Sequence, residues 1–269
     1  MITGNTKLLG LIGNPVSHSL SPQIHNVFSE GLKLDYVYLA FGIDGKDLRQ
    51  FCESAQMLGF GGFNVTMPFK ESIIPFLRCL DESAEAAGAV NTVLVGDGGL
   101  KGYNTDAGGF MRSLKCDLSG AKVLVLGTGG AAKTVGLALA EHAGEVRLAS
   151  RHPESLPPAP TGTSYCHWDS LNAEAQGCSL LVNATPIGMH AMPDEFGDLG
   201  FLSNLADGAT VYDLIYSPRE TALLKRSKEL GFAVANGLAM LVHQAALAYG
   251  IFTGASPLDE SVSKLISEL

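Results

Sequence analysis

The sequence is short of positive charge and of long apolar runs. Of its 269 residues 17% are charged, and 18 lysines and arginines stand against 27 aspartates and glutamates, a net charge of −9. Without a basic run to neutralise phosphates, we expect neither a nucleic-acid partner nor attraction to an anionic membrane. No stretch reaches the roughly 18 apolar residues of a membrane span, and the apolar run in MITGNTKLLGLIG is too brief for a signal peptide.

Cysteine is also scarce, and its spacing suggests no pairing. The five cysteines are odd in number and form neither a C-x-x-C pair nor a Cys/His zinc spacing. We therefore expect neither a disulfide framework nor a metal site. A reducing, cytoplasmic location fits this composition.

What is present is a regular alternation of strand and helix patterns. Amphipathic helical patterns separate the apolar runs, most clearly at Leu48, Phe51, Cys52 and Ala55, whose spacing lays apolar side chains along one face. The alternation predicts an α/β protein with parallel sheets, crossover helices and doubly wound architecture. The predicted strands are 7–13, 36–43, 91–95, 122–127, 145–150, 179–185 and 209–214.

Two breaks in the pattern predict two domains. The polar KCDLSGAK (115–122) precedes a new strand, and Asn236-Gly237 precedes the last long helix, which needs an apolar surface on which to pack. We predict one domain at 1–103, completed by the C-terminal helices of 237–269, and a second domain at 104–236. The Pro-rich segment 151–164 is predicted to be a surface loop.

A glycine loop follows the strand at 122–127. It reads Gly127-x-Gly129-x-x-Ala132 and opens an apolar helix that leads into another strand. In this context the first glycine permits a tight turn, the second lets the backbone approach a pyrophosphate, and the alanine keeps the helix close to the sheet. The pattern predicts a Rossmann-type dinucleotide site; the alternative is that the glycines serve only the turn.

The end of the next strand indicates which dinucleotide. An NAD site typically offers a carboxylate there, whereas this chain has Ser150, Arg151 and His152. A guanidinium beside a hydroxyl suits the 2′-phosphate of NADP, and such a contact contributes about 1.5–3 kcal/mol. The alternative is a solvated Arg151, and the nearby Glu154 would weaken the preference.

Serines surround the start of a helix in SHSLSPQIHN (17–26). Ser21 as N-cap with Pro22 at the first helical position is one interpretation. The other is that the hydroxyls of Ser17, Ser19 and Ser21 bind a carboxylate at the positive end of the helix dipole. On the residues alone the two weigh equally.

A second group of polar residues lies at the ends of predicted strands. Together they suit a small, neutral-to-anionic substrate with several hydroxyls, because ligands bind at this edge of open α/β sheets. Gln244 lies in the apolar AMLVHQAALA, where an unpaired amide would cost about 1–3 kcal/mol, so it needs a partner. That partner is either in the site or in a neighbouring strand. The strand-end residues are Asn64, Thr66, Lys70, Asn91, Thr92, Asn104, Thr105 and Asp106.

The ordered motifs SHSLSPQIHN, NVTMPFK, GAVNT, GYNTDAGGF, GTGGAAK, NATPIGM, DLIYSP and MLVHQA span nearly the whole chain. They resemble the shikimate dehydrogenase family. The resemblance implies reversible NADPH-dependent reduction of 3-dehydroshikimate to shikimate, in aromatic amino acid biosynthesis. It also implies a catalytic pair, Lys70 and Asp106, in which the lysine supplies the proton and the aspartate holds the ammonium.

The resemblance assigns further residues. Ser19 and Ser21 resemble the carboxylate ligands, assisted by Tyr216. The residues that resemble ring-hydroxyl ligands are Asn64, Thr66, Asn91, Asp106 and Gln244. The predicted cofactor-binding residues are Gly127, Gly129, Gly130, Ala131, Ser150, Arg151 and Gly237.

One departure from the family pattern bears on specificity. Members with firm NADP preference often carry Asn-Arg-Thr and a further arginine, where this chain has Ser150-Arg151-His152 and Ser155. A quinate/shikimate dehydrogenase that uses NAD, and a nucleotide-sensing relative without turnover, therefore stay open as alternatives. Whether the protein is a monomer or a homodimer also stays open.

Overall fold

The computed structural model describes residues 2–189 and 196–269. The chain forms two compact units, Met1–Gly109 with Leu241–Leu269, and Phe110–Met240. The predicted domain limits of 103 and 236 lie a few residues before the limits of these units. Each of the two divisions falls inside a helix, so each of these helices contributes residues to both units.

The elements alternate along the chain as the hydrophobic pattern indicates. The strands are β1 (Lys7–Gly13), β2 (Tyr36–Gly42), β3 (Gly62–Val65), β4 (Cys79–Leu80), β5 (Thr92–Gly96), β6 (Gly99–Tyr103), β7 (Lys122–Leu126), β8 (Glu145–Ser150), β9 (Ser164–His167), β10 (Leu180–Asn183), β11 (Thr210–Asp213) and β12 (Ala233–Ala235). The helices are α1 (Ser21–Gly31), α2 (Leu48–Met57), α3 (Glu82–Ala87), α4 (Asp106–Ser113), α5 (Gly130–Ala140), α6 (Leu171–Glu174), α7 (Ala222–Glu229), α8 (Leu238–Thr253) and α9 (Asp259–Glu268).

The sheet of the first unit has the order β2-β1-β3-β5-β6-β4. β1 pairs in parallel with β2 and β3, whereas β5 is antiparallel to both β3 and β6. The prediction of parallel sheets with crossover helices therefore fails at β5, whose two pairings are antiparallel. Only Asp97 and Gly98 connect β5 to β6, and Gly99 follows with φ of 101°. So short a connection makes a hairpin and leaves no room for a crossover helix.

The sheet of the second unit has the order β12-β11-β10-β7-β8-β9, and all of its pairings are parallel. Val123, Leu124, Val125 and Leu126 of β7 are fully buried, as a strand covered on both faces requires. The strand order reverses between β7 and β10, where doubly wound folds bind ligands beyond the carboxyl ends of the strands. The Rossmann-type prediction is confirmed.

In the first unit α2 buries its apolar face, and close packing of α4 against α8 positions a polar residue. Leu48, Cys52 and Ala55 of α2 are buried, as their spacing predicts. A Cβ on Gly109 of α4 would lie 2.6 Å from the Cβ and 2.7 Å from the backbone nitrogen of Gln244 on α8. Glycine therefore lets these two helices approach closely enough to place Gln244 beside the start of α4.

Two further features of the fold concern the cysteines and the lengths of the helices. The five cysteines are free thiols, and burial raises the pKa of Cys166 to about 12. Among the described residues, no helix has both the length and the apolar character needed to cross a bilayer.

Candidate active site and nucleotide pocket

The Lys70 side chain forms an ion pair in the first unit. Its Nζ lies 2.6 Å from Oδ2 of Asp106. Lys70 follows β3 in a turn that is fixed on both sides: the Phe69 amide donates to the carbonyl of Thr66, and the carbonyl of Lys70 accepts from the Val90 amide at 2.8 Å. The lysine side chain is 33% exposed and the aspartate side chain 12%, so the aspartate is the more buried member of the pair.

Both carboxylate oxygens of Asp106 accept hydrogen bonds from neighbouring side chains. Its Oδ1 accepts a hydrogen bond from Asn91 Nδ2 at 2.8 Å, while Oδ2 takes the Lys70 ammonium. Its backbone amide donates to Asn104 Oδ1 at 3.0 Å. Asp106 is also the first residue of α4, where the helix dipole favours a negative charge. Both carboxylate oxygens therefore have donors, and the carboxylate fixes the direction of the lysine.

Asn91, Thr105 and Gln244 form a buried network beside this pair. Asn91 Nδ2 lies 2.9 Å from Thr105 Oγ1 and 3.3 Å from Gln244 Oε1, and Asn91 Oδ1 accepts from the Thr105 amide at 2.8 Å. Gln244 completes its bonding with Nε2 to the carbonyl of Leu241 at 2.9 Å. The expected partner of Gln244 thus lies in the polar cluster that contains Asp106.

Asn64 extends the network, and Thr66 does not. Asn64 Nδ2 donates to the carbonyl of Asn91 and to Thr92 Oγ1, both at 3.0 Å, and its Oδ1 accepts from the hydroxyl of Tyr38 at 2.8 Å. Thr66 is half-buried, and its amide donates to the carbonyl of Ile12 at 2.9 Å. Within residues 2–189 and 196–269, no hydrogen bond joins the Thr66 hydroxyl to the other predicted site residues.

The serine pair lies at the start of α1. Ser19 Oγ donates to Ser21 Oγ at 3.1 Å and accepts from the Ser21 amide at 3.2 Å. Ser21 as N-cap is wrong: α1 begins at Ser21, and the cap position is Leu20, whose backbone is already helical with φ of −80° and ψ of −8°. Ser21 instead bonds to Ser19.

The second unit contains a pocket of about 660 Å³ at the carboxyl ends of β7, β8 and β10. The pocket is built to admit a ligand close to the backbone. Gly127 has φ of 111°, which suits glycine, and a Cβ there would lie 3.1 Å from Thr185 Cγ2. A Cβ on Gly129 would meet nothing within 4 Å, so the backbone at the start of α5 is open. The lining residues are Gly127, Thr128, Gly129, Ala149, Ser150, Arg151, His152, Ser155, Leu156, Trp168, Ala184, Thr185, Pro186, Ile187 and Phe196.

Where the loop after β8 lines this pocket, it brings a positive charge, that of Arg151. Ser150 ends β8, its Oγ accepts from the His152 amide at 3.2 Å, and Arg151 is exposed beside it. Glu154 Oε1 lies 3.6 Å from His152 Nδ1 in the loop after β8, and both side chains are exposed. None of the described residues that line the pocket is a carboxylate. The donor set fits the phosphates of NADP.

Four other residues that the sequence predicts as ligands lie in the second unit, and none of the four lines this pocket. Gly130 and Ala131 begin α5 directly after the pocket-lining Gly129. Tyr216 follows β11 and is half-buried, and burial raises the pKa of its phenol. Gly237 packs against the backbone of Leu214 so closely that a side chain would collide with the Leu214 carbonyl, which explains the glycine without a ligand.

A buried carboxylate organises the loops after β10 and β11. Asp213 is 0% exposed and accepts from Asn183 Nδ2 at 2.9 Å, from the Ile215 amide at 3.0 Å and from Thr221 Oγ1 at 2.7 Å. Asn183 Oδ1 in turn accepts from the amide of Thr185, a pocket residue. Burial raises the pKa of Asp213 above its usual value, against the three donors.

Sequence reasoning missed three contributors. Tyr38 lies in a strand that reads as apolar, and its only signal is that a buried phenol needs a hydrogen-bond partner. Trp168 and Phe196 form an apolar wall of the pocket, with ring planes 8° apart and centroids 6.4 Å apart. They lie far from the glycine loop along the chain, and no motif marks them.

Comparison with known proteins agrees with these features. A family model for the shikimate dehydrogenase substrate binding domain matches residues 11–93. The chain is 41% identical over 278 residues to the shikimate dehydrogenase (NADP(+)) of Synechococcus sp. (strain JA-2-3B'a(2-13)), which covers 98% of this chain and 95% of the relative.

Solved structures are also similar to this chain over nearly its whole length. Shikimate 5-dehydrogenase from Thermus thermophilus, in complex with NADP(H) and shikimate, is similar with a TM-score of 0.84 and 33% identity, covering 97% of this chain and 98% of that one. Quinate dehydrogenase from Corynebacterium glutamicum, in complex with NAD, is similar with a TM-score of 0.86 and 31% identity, covering 97% of this chain and 98% of that one. The chain therefore belongs to the shikimate dehydrogenase family.

Proposed function

We propose that the protein is an NADP-dependent shikimate dehydrogenase that interconverts 3-dehydroshikimate and shikimate. The observation that carries the proposal is the Lys70–Asp106 ion pair of 2.6 Å, set beside Asn91 and Gln244 in the unit that contains the matched substrate binding domain. Amides, hydroxyls and one lysine are the groups that a polyhydroxylated acid with a reducible carbonyl requires.

Lys70 is proposed as the general acid and base. In the reducing direction its ammonium donates a proton to the carbonyl oxygen as negative charge develops there, and in the oxidising direction the amine removes that proton from the hydroxyl. Asp106 holds the ammonium in place as a hydrogen-bond acceptor. Its hydrogen bond from Asn91 keeps it in place through the cycle.

The other predicted residues are proposed as substrate ligands. Ser19, Ser21 and Tyr216 bind the carboxylate. Asn64 has committed both amide hydrogens within the protein, so it offers a ring hydroxyl only the free lone pair of Oδ1. Asn91, Thr66, Asp106 and Gln244 complete the set of ring-hydroxyl ligands.

The pocket of the second unit is proposed to bind NADP. When bound, NADP supplies the hydride for reduction or accepts it in oxidation. Gly127, Gly129, Gly130 and Ala131 bring backbone amides to the pyrophosphate, and Ser150 and Arg151 bind the 2′-phosphate. Gly237 stays a predicted cofactor contact whose glycine the packing already explains.

Three broader assignments accompany the proposal. The predicted domains, 1–103 with 237–269 and 104–236, take the substrate-binding and nucleotide-binding roles. The protein is proposed to act in the cytoplasm, in aromatic amino acid biosynthesis. It is proposed to be a monomer or a homodimer, without nucleic-acid or membrane partners.

The experiment is a comparison of initial rates of oxidation with shikimate or quinate, each with NADP or NAD, following the reduced nicotinamide. We expect the shikimate and NADP combination to dominate the other three. Comparable rates with quinate or NAD would assign the chain to the broader quinate/shikimate group. NADP binding without turnover on any of these substrates would refute the enzymatic role and support a nucleotide sensor.

A further inference from the structure

Four consecutive residues after β10 line the nucleotide pocket, although they belong to neither a helix nor a strand. They are Ala184, Thr185, Pro186 and Ile187, and we call them the β10 loop. The amide of Ala184 is held by the sheet, because it donates to the carbonyl of Leu126 at 2.9 Å. The later residues lie beyond the strand pairing, so their backbone amides need other partners.

The side chain of Asn183, the last residue of β10, supplies these partners. Its Oδ1 accepts from the Thr185 amide at 3.0 Å and from Thr185 Oγ1 at 2.7 Å. Thr185 Oγ1 in turn accepts from the Ile187 amide at 3.2 Å, and Asn183 Nδ2 donates to the Ile187 carbonyl at 3.3 Å. Asn183 is 0% exposed, so the position of the β10 loop depends on how this one buried amide group is oriented.

Asp213 determines which way the Asn183 amide group faces. Asp213 Oδ1 accepts from the Ile215 amide at 3.0 Å and also meets Asn183 at 2.9 Å. A backbone amide can only donate, so Asp213 Oδ1 is an acceptor, and the end of Asn183 that meets it must be the NH₂ group. The opposite end of Asn183 is then its oxygen, which is the atom that the Thr185 amide requires.

The second oxygen of Asp213 bonds to a residue that does not line the pocket. Asp213 Oδ2 accepts from Thr221 Oγ1 at 2.7 Å, and Thr221 caps α7 by accepting from the Leu224 amide at 3.3 Å. Asp213 is 0% exposed and Thr221 is buried as well. The bonds that lead to the β10 loop and those that lead to α7 therefore start from different oxygens, and substitutions can break them separately.

We propose that Asp213 is a positioning residue for the nucleotide pocket, which acts through Asn183 to hold the β10 loop in the shape that accepts the cofactor. This inference rests on the proposed function, because it takes NADP as the ligand of the pocket. Arg151 follows β8 and is proposed to bind the 2′-phosphate, whereas the β10 loop follows a different strand. Loss of Asp213 should therefore weaken the binding of NADP and of NAD alike.

The first test compares Asp213→Ala with Asp213→Asn by calorimetric titration of NADP and of NAD. Alanine offers no acceptor to Asn183, so both cofactors should bind about ten-fold more weakly. Asparagine can keep its Oδ1 for Asn183 and the Ile215 amide while its Nδ2 donates to Thr221 Oγ1, so it should bind both cofactors within about two-fold of wild type. Equal weakening in the two variants would assign the effect to the lost charge and overturn the proposal, as would weakening of NADP binding alone.

The matched control for stability is Thr221→Val. It removes the hydrogen bond to Asp213 Oδ2 and the cap of α7 but leaves the Asn183 bond to Oδ1 in place. This variant should unfold at a lower urea concentration than wild type, because the cap is lost, and should keep both dissociation constants. If Thr221→Val weakened cofactor binding as much as Asp213→Ala does, the role of Asp213 would be general stability and the proposal would be wrong.

Asn183→Ala breaks the same series of bonds at the next residue and serves if Asp213→Ala does not fold. Asp213 then keeps its donors from Ile215 and Thr221, while the Thr185 amide loses its acceptor. Both cofactors should again bind about ten-fold more weakly. If both single variants fold, the double variant should weaken binding by clearly less than the product of the two single effects, whereas simple multiplication would show that the residues act independently.

Failure of the inference and failure of the proposed function are distinguishable, because the titrations measure binding without turnover. If wild type binds NADP and oxidises shikimate, and Asn183→Ala binds NADP equally well, the inference alone is overturned. A wild-type chain that binds neither NADP nor NAD would overturn both.

Discussion

At the level of single residues, two substitutions can separate the charge of Lys70 from its ability to transfer a proton. Lys70→Ala removes both and should lower kcat by roughly 10²–10⁴, with a smaller change in KM. Lys70→Arg keeps a cation that can pair with Asp106, but a guanidinium does not release a proton near neutral pH. We therefore expect Lys70→Arg to lower kcat nearly as much as Lys70→Ala does.

Steady-state kinetics of both variants checks this prediction. Lys46→Ala, at an exposed lysine of the same unit, is the control and should behave as wild type. If Lys70→Arg retained most of the wild-type kcat, the lysine would act through its charge, and the proton would have another source.

Arg151 tests cofactor choice. Arg151→Ala should raise the KM for NADP about ten- to hundred-fold and barely change that for NAD, because only NADP has the 2′-phosphate. Arg226→Ala, at an arginine paired with Glu229 on α7, is the control for loss of a surface charge. Equal effects of Arg151→Ala on the two cofactors would contradict the assignment.

Residue types and order were sufficient to nominate much of the site, but not its connections. The structure brings together Lys70, Asp106, Asn91 and Gln244, all of which the sequence marks as polar groups at strand ends or in an apolar helix. Tyr38 could not be found in this way. A tyrosine in a buried strand has the same periodicity whether its hydroxyl supports a site or only a neighbouring strand.

At the scale of elements, two adjacent glycines of α4 make a sharp comparison. Gly109→Ala would place its Cβ 2.7 Å from the backbone nitrogen of Gln244 on α8, which cannot move without shifting the helix. We expect a loss of about 1–3 kcal/mol in the free energy of unfolding and a fall in kcat/KM as Gln244 moves.

Gly108→Ala is the matched control. Its Cβ would meet only the end of the flexible Leu247 side chain, at 2.9 Å, and alanine is the better helix former by about 1 kcal/mol. Urea unfolding and kinetics of the two variants check the prediction. Equal stabilities would show that the α4/α8 approach does not depend on Gly109.

The strands show what a periodic pattern can and cannot predict. The predicted strands at 7–13 and 145–150 coincide with β1 and β8, because both strands are long and at least half of the residues in each are buried. Five strands were missed: β3, β4, β6, β9 and β12. β3 and β4 have only four and two residues, GLKGY of β6 is rich in glycine, and β4, β9 and β12 lie at sheet edges, with few fully buried residues. Edge strands need less apolar surface, so their sequences resemble loops.

At the scale of the whole molecule, His25 makes stability depend on pH. Its folded pKa is about 3, against 6.5 in the unfolded chain, because burial opposes the charge. Between these values the unfolded chain binds more protons, so stability is fully present above pH 6.5 and is lost as pH falls towards 3. From pH 7.5 to 5.5, we expect His25 to account for about 1.4 kcal/mol of lost unfolding free energy.

Urea unfolding at the two pH values checks this prediction. His25→Phe keeps an aromatic ring on Tyr38 and should lose about that part of the pH dependence. His142→Phe, at an exposed histidine of the second unit, should keep it. The same pH dependence in His25→Phe and wild type would mean that His25 does not stay neutral in the folded chain.

The contact between Asn91 and Gln244 joins residues that are 153 positions apart. During synthesis, the ribosome adds the whole of the second unit after Asn91 and before Gln244. The nucleotide pocket can therefore fold during synthesis, while the polar cluster around Asp106 waits for its last member. Any nascent chain interrupted in between would carry a complete dinucleotide fold beside an unfinished catalytic centre, so binding of cofactor alone would be no evidence of a finished enzyme.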